Sequence, residues 1–250
     1  MKRFAVICKM EFRMFARDFF GFFFALVFPV LMLLLFGGIY GNEPVSEGAN
    51  VGMMDVCVPA YAVMVIGVTG LMSLPLTLAN CKEKKIYKRF DATPVGKKSI
   101  ILAQVLVNVS VAMMGILVLL VAGKILYHIQ IRGTLISVGV AVVLSVTTMF
   151  SMGFLFTAIG QDLKSASFLC YLFYFVMLFL SGATIPDMLF PDTMKTIAKF
   201  LPMTHAVDFM QGVFAGDGLR GYGMQMLVLG GLTVIFVGVG AVLYRGKDWA

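Results

Sequence analysis

Six stretches of the chain are apolar without interruption by Asp, Glu, Lys or Arg: Gly21 to Tyr40, Pro59 to Leu78, Ile100 to Val121, Leu135 to Ile159, Ser165 to Thr184 and Met224 to Tyr244. A bilayer core of about 30 Å takes about 20 apolar residues as a helix, the backbone shape that satisfies its own N–H and C=O groups in lipid. Each window therefore predicts a membrane-spanning helix. The fifth is broken at its end by Ser181-Gly182 and Pro186.

Two stretches outside these windows carry a pattern of their own. Ahead of the first, Phe4, Cys8, Phe12, Phe15 and Phe19 fall on one side of a helical wheel, with Lys9, Arg13 and Arg17 on the other. That is the signature of an amphipathic helix lying in the headgroup plane over residues 1–20. It is either a simple anchor or a lever that transmits motion from a cytoplasmic partner. Between the fifth and sixth windows, some forty residues are too many for a mere connection. Asp192 is placed to cap a short helix with Met194, Ile197, Ala198 and Leu201 on one stripe, and Pro202 to end it. Thr204 is placed to cap a second helix, with Val207, Met210 and Phe214 repeating the stripe before Gly216-Asp217-Gly218. Both pieces are too short to span, so they are expected to dip into or lie on the outer leaflet as a lid.

Composition agrees: 60% of the 250 residues are hydrophobic and 13% charged, with a mean hydropathy of +0.95, against about 25% charged in soluble domains. The net charge of +7 reflects topology. Lys2, Arg3, Lys9, Arg13, Arg17, Lys82, Lys84, Lys85, Lys88, Arg89, Lys97, Lys98, Lys164, Arg245 and Lys247 fall on one side of a six-span topology. Lys124, Arg132, Lys195, Lys199 and Arg220 fall on the other. Fifteen against five places both termini and the loop 81–98 in the cytoplasm. No nucleic acid is needed to explain the charge: the basic loop offers only Tyr87 and Phe90 as stacking platforms, and no nucleic-acid module surrounds it.

Catalytic and metal signals are weak. Cys8, Cys57, Cys81 and Cys170 lie in four different segments without C-x-x-C spacing, and His128 and His205 have no ligand-spaced second His or Cys, although Asp208 follows His205 by three. No G-x-S-x-G, H-E-x-x-H or intramembrane carboxylate pair is present, so the chain is read as a non-enzyme with no metal site. A small-residue ridge, Gly133, Ser137, Ala141 and Ser145, runs up the fourth span and invites close approach of another helix. Phe168, Tyr171, Tyr174 and Phe175 group on one side of the fifth, as core packing or as a substrate surface.

The basic N-terminal helix, the loop ending in "DATPVGKKSIILAQ" (Asp91 to Gln104) and "FLSGATIPDMLFPDTMKTIAKFLPMTHAVDFMQGVF" (Phe179 to Phe214) together resemble the transmembrane subunits of ATP-binding cassette exporters of the type-2 permease family, over nearly the whole chain. The chain departs from many relatives in reading Lys82-Glu83-Lys84-Lys85 where they carry a Glu-Arg-Glu-like cluster. The resemblance implies an all-α membrane protein in a single permease domain over 1–250, with an extracytoplasmic lid at 185–221 marked by Pro186, Pro191 and Pro202.

It also implies partners. No G-x-x-x-x-G-K-[ST] exists here, so ATP and Mg²⁺ belong on separate ATPase subunits, and six spans call for a second permease subunit, identical or related. The loop between spans two and three becomes the coupling element. Glu83, Lys84, Lys88, Arg89, Asp91 and Pro94 form its contacts, and Tyr87 and Phe90 are free to insert into a cleft of the ATPase. The competing view is that these charges serve topology and bind anionic lipid. With helices two and five facing a central cavity, a lining of aromatics and Met without buried charge suits an amphipathic or apolar cargo such as an antimicrobial. Polysaccharide or lipid-linked cargo, or a stand-alone channel or secondary transporter, are the alternatives. The location expected is a bacterial cytoplasmic membrane.

Overall fold

The computed structural model describes residues 2–44, 51–91, 96–160, 162–184 and 190–246. Those residues form an all-α bundle with six helices long and apolar enough to cross a membrane. Helix α1 is Lys2–Arg17. The spans are α2, Phe19–Tyr40, and α3, Met53–Glu83; then α5, Gly96–Tyr127, α6, Leu135–Ile159, α7, Leu163–Leu180, and α10, Gly223–Gly246. Three short helices punctuate them: α4, Ile86–Asp91, α8, Asp192–Ala198, and α9, Pro202–Ala215. Most spans overrun the apolar windows, because helical hydrogen bonding continues past the last lipid-compatible residue.

Helix α3 is the axis of the bundle: 89% of its most apolar window is buried, against 11% for the last span. Its helical ladder loosens into a π-helical turn at Thr69–Ser73, and α2 does the same at Phe23–Val27. The turn in α3 lies where α6 comes closest. A Cβ on Gly153 would stand 2.1 Å from the Gly70 carbonyl oxygen and 2.6 Å from Pro75, so these backbones are in direct contact. The small-residue ridge is buried within the one chain. Ser137, Ala141 and Ser145 are inside, and Gly133, just ahead of α6, lies against the Val213 carbonyl of α9. One turn beyond Ser145, the Thr148 hydroxyl reaches both the Leu229 carbonyl at 3.1 Å and the Thr233 hydroxyl at 2.9 Å, which ties α6 to α10.

The two short helices of the outer segment differ in kind. Helix α8 lies at the periphery with Ile197 and Lys195 exposed and only Ala198 buried. Helix α9 is core: Met203, Val207, Phe209, Met210 and Phe214 are all buried, packed against α3, α6 and α10, and Gln211 donates to the Val56 carbonyl at 3.2 Å. Its start corrects the sequence reading. Pro202 opens α9 as its first residue, where its missing N–H costs nothing, rather than ending α8. Thr204 is not a cap but a buried hydroxyl without a partner, and Asp192 makes no side-chain capping bond. His205 Nε2 donates to the Lys199 carbonyl at 2.9 Å, and so joins the two helices.

At the same end, Asn42 and Asp55 close the tops of three spans. Asn42 donates to the Tyr127 carbonyl at 3.2 Å, and Asp55 accepts from the Gln130 amide at 3.0 Å.

Candidate functional site

The other end of the bundle gathers α1, α4 and the turn between α6 and α7. Helix α3 ends when Lys85 takes a left-handed conformation, φ 52°, which sets α4 off as a separate helix. Glu83 and Lys82 then reach across to the next loop. Glu83 Oε2 accepts from the Leu163 amide at 2.8 Å, adding a negative charge at the N-terminus of α7, and Lys82 approaches the Gly160 carbonyl at 3.5 Å. Asp162 caps α7, accepting from the Ser165 amide at 2.8 Å. The Ser165 hydroxyl, and then its amide, hold that carboxyl below the ordinary range.

Helix α4 turns its charges out and its phenol in. Lys84, Lys88 and Arg89 are exposed, while Phe90 is half-buried against the core. Tyr87 is 2% exposed and its hydroxyl donates to Gln104 Oε1 at 3.0 Å. The expectation of Tyr87 as a ring free to insert into a partner is therefore corrected: on a six-residue helix one face must pack, and Tyr87 finds a buried acceptor on α5. The backbone of Asp91 completes α4; Pro94 and Pro186 lie outside the described residues. Pro191 is exposed just before α8.

Gln104 is the centre of a buried polar cluster. Its amide donates to Glu11 Oε1 at 3.2 Å and lies 3.3 Å from Cys81 Sγ. Glu11 belongs to α1, whose inward stripe is Ile7, Glu11 and Phe15, with Phe4 and Cys8 half-buried. Lys9, Arg13 and Arg17 are exposed as expected, but so are Phe12, at 43%, and Phe19, at 71%. Glu11, bonded to Gln104, turns toward the bundle, while Phe12 and Phe19 stay outside it. Burial pushes the Glu11 carboxyl above its ordinary value, against a smaller opposing pull from the Gln104 bond.

Beside this cluster, α1, α3, α5 and α7 line a half-open cavity of about 460 Å³. Helix α1 contributes Glu11, Phe15 and Asp18; α3 contributes Ser73, Thr77 and Asn80; α5 contributes Val107 and Asn108; α7 contributes Ser167 and Tyr171. Ser73 belongs to the π-helical turn of α3, a distortion common at functional sites. A second, smaller cavity of about 150 Å³ lies under α8, lined by Ser181, Lys195, Lys199 and Asp208 among others.

The aromatic group on α7 is not one surface. Tyr174 is fully buried, with its ring 3.1 Å from where a Cβ on Gly67 would lie. Phe168 is 66% exposed, and Phe175 packs edge-on against Phe24. Of the four, only Tyr171 lines the large cavity. Residues at i, i+3, i+6 and i+7 spread over too wide an arc for one pocket to use. Among the residues that do line it and that sequence reasoning missed are Glu11, Asp18 and Asn108. A signal existed: Gln104 and Asn108 stand one turn apart in a largely apolar span. Among the described residues no group of three or more His, Cys, Asp or Glu is placed to hold a metal.

The chain is a six-span helical bundle with a cleft at one end, and the charged helix α4 is hydrogen-bonded to α5, which forms part of the cleft's wall. The family of ABC-2 type transporters matches residues 2–215, and the chain belongs to it. It is thus a multi-pass transport subunit, an ABC transporter permease, which sets aside the stand-alone channel and the secondary transporter. No curated protein matches the chain.

Proposed function

We propose that the chain is the membrane subunit of an ATP-driven exporter of a hydrophobic or amphipathic compound, such as a drug or antimicrobial, in a bacterial cytoplasmic membrane. Two such subunits work with two separate ATP-binding cassette subunits, which bind the ATP and Mg²⁺. The observation that carries this reading is the hydrogen-bonded run from Tyr87 on α4 through Gln104 on α5 to Glu11 on α1. It connects an exposed basic helix to two walls of the cavity.

The mechanism follows from that connection. Lys84, Lys88 and Arg89 meet an acidic rim on the ATPase. When the ATPase pair closes, α4 moves, and because Tyr87 and Gln104 are buried and bonded, α5 and α1 must move with it or lose buried hydrogen bonds. Each broken bond costs about 1–3 kcal/mol, so displacement of the walls is the cheaper response. Glu83 passes the same motion to α7 through the Leu163 amide. The N-terminal helix is thereby a lever as well as an anchor. The distribution of basic residues supports a cytoplasmic position for α1, α4 and both termini, and on that reading the large cleft faces the side from which cargo is loaded.

The test is purification of the tagged chain from its native membrane in mild detergent, with measurement of complex mass and ATP hydrolysis. Two permease and two ATPase copies are expected. Lys88→Glu with Arg89→Glu should release the ATPase, more at low than at high salt, since exposed pairs are screened over about 8 Å at physiological ionic strength. A transport-competent chain purified without any ATPase would overturn the reading.

A further inference from the structure

We infer that α2 and α3 are hinged at their π-helical turns, and that the cleft between α1 and the bundle opens and closes by bending at these two points, over Gly115 of α5 and Gly153 of α6. The two turns are built alike. Phe23–Val27 is followed by Phe28 and Pro29, and Thr69–Ser73 by Leu74 and Pro75. In each, the amide after the turn reaches back five residues, Phe28 to the Phe23 carbonyl and Leu74 to the Thr69 carbonyl. The next residue is a proline, with no amide proton to give.

Both features release carbonyls from the helical ladder. Gly70 loses its ordinary donor because the Leu74 amide turns to Thr69, and Ala25 loses its own because that donor would be Pro29. At membrane depth a carbonyl so released must be covered by protein. Each is covered by a glycine of a neighbouring span: a Cβ on Gly115 would stand 3.0 Å from the Ala25 oxygen, and one on Gly153 would run into the Gly70 oxygen. A glycine offers only Cα–H, a weaker donor than N–H, so it covers the carbonyl without fixing it. Hydroxyls bracket the turn in α3. Thr69 donates to the Val65 and Ile66 carbonyls and Thr77 to the Ser73 carbonyl, bonds of a kind that bend helices.

What hangs from these turns is the cleft. Beyond the turn in α3, Leu74–Glu83 supplies Leu76, Thr77 and Asn80 to the lining and holds the start of α7 through Glu83 and the Leu163 amide. Ahead of the turn in α2, Phe19–Phe22 follows α1 and Asp18, which lines the cleft, and touches the turn in α3. A change of about 20°, the scale of a kink at proline or a π-turn, acts on the ten residues Leu74–Glu83. At 1.5 Å per residue they form an arm of about 15 Å, so Glu83 is carried about 5 Å. What drives the bending rests on the exporter reading above; the bending itself does not.

The experiment is a spin-label distance measurement between Arg13→Cys on α1 and Lys164→Cys on α7, both exposed positions. The otherwise cysteine-free full chain is purified from its native membrane into nanodiscs and measured without nucleotide and with ATP and vanadate. The parent should show two distances about 5 Å apart, of which ATP and vanadate select one. Pro29→Ala with Pro75→Ala returns both missing amides to the ladder, and should leave a single distance that no longer responds to ATP. If the double variant fails to fold, each single variant decides, and should shift the ratio of the two distances severalfold.

A single distance in the parent under both conditions overturns the hinges, as does a pair of distances that the proline variants leave unchanged. Two distances that collapse in the variants but ignore ATP keep the hinges and remove the exporter. An ATP-driven shift that survives both substitutions does the reverse.

Discussion

The phenol of Tyr87 on α4 donates to Gln104 Oε1 at 3.0 Å, and the same Gln104 side chain donates to Glu11 on α1 at 3.2 Å. One amide, 93 residues from Glu11 in sequence, therefore joins the short helix α4 to α1 through a span that neither belongs to.

Tyr87→Phe isolates that bond. The ring and its packing remain, but Gln104 Oε1 is left buried without its donor, at a cost of about 1–3 kcal/mol. The thermal midpoint in detergent should fall, and substrate moved per ATP should fall, while the ATPase still co-purifies because Lys88 and Arg89 are untouched. Loss of assembly with unchanged stability would show that Tyr87 acts at the partner surface instead.

Glu11→Gln keeps an acceptor for Gln104 and removes a charge that burial disfavours. The folded-state carboxyl titrates above its usual 4.5, so between the two values the folded chain holds more proton than the unfolded one, and stability falls as pH rises through that window. The Gln variant does not titrate. Its stability advantage over the parent should be small at about pH 4, grow as pH rises, and level off above the raised value. Melting curves across that range check the sign.

Gly153→Ala places a methyl against the Gly70 carbonyl, at 2.1 Å by ideal geometry. Backbone cannot yield as a side-chain tip can, so α3 and α6 must separate at the π-helical turn, at a cost of about 1–3 kcal/mol or more. Gly139→Ala on the same helix meets nothing within 4 Å and should be neutral or stabilising by up to about 1 kcal/mol. Paired melting measurements separate close approach from helix propensity.

Cysteine labelling in a cysteine-free background tests orientation. Lys88→Cys should react with an impermeant reagent only after the membrane is opened, and Asp217→Cys in intact cells. Both positions are exposed, so access and not burial decides. The opposite result would invert the topology.

The six spans, the exposed basic face of α1 and the grouping of basic loops follow from the sequence alone. Apolar length and Lys/Arg placement are local properties, and a bilayer reads them without knowing which helix neighbours which; the bounds of α6 match the apolar window residue for residue. What the tertiary structure decided is where polar groups find partners. Helical periodicity gives the angle of a side chain but not the neighbour it meets. So Glu11 goes inside and Phe12 outside because Gln104 waits on α5, Tyr87 faces inward for the same reason, and Tyr174 and Phe168, six residues apart on one helix, part company between core and surface. Glu83 and Leu163, 80 residues apart, and the burial of α9 among three spans are likewise set by the packing of the whole bundle, since a buried donor or acceptor is tolerated only where another segment completes it.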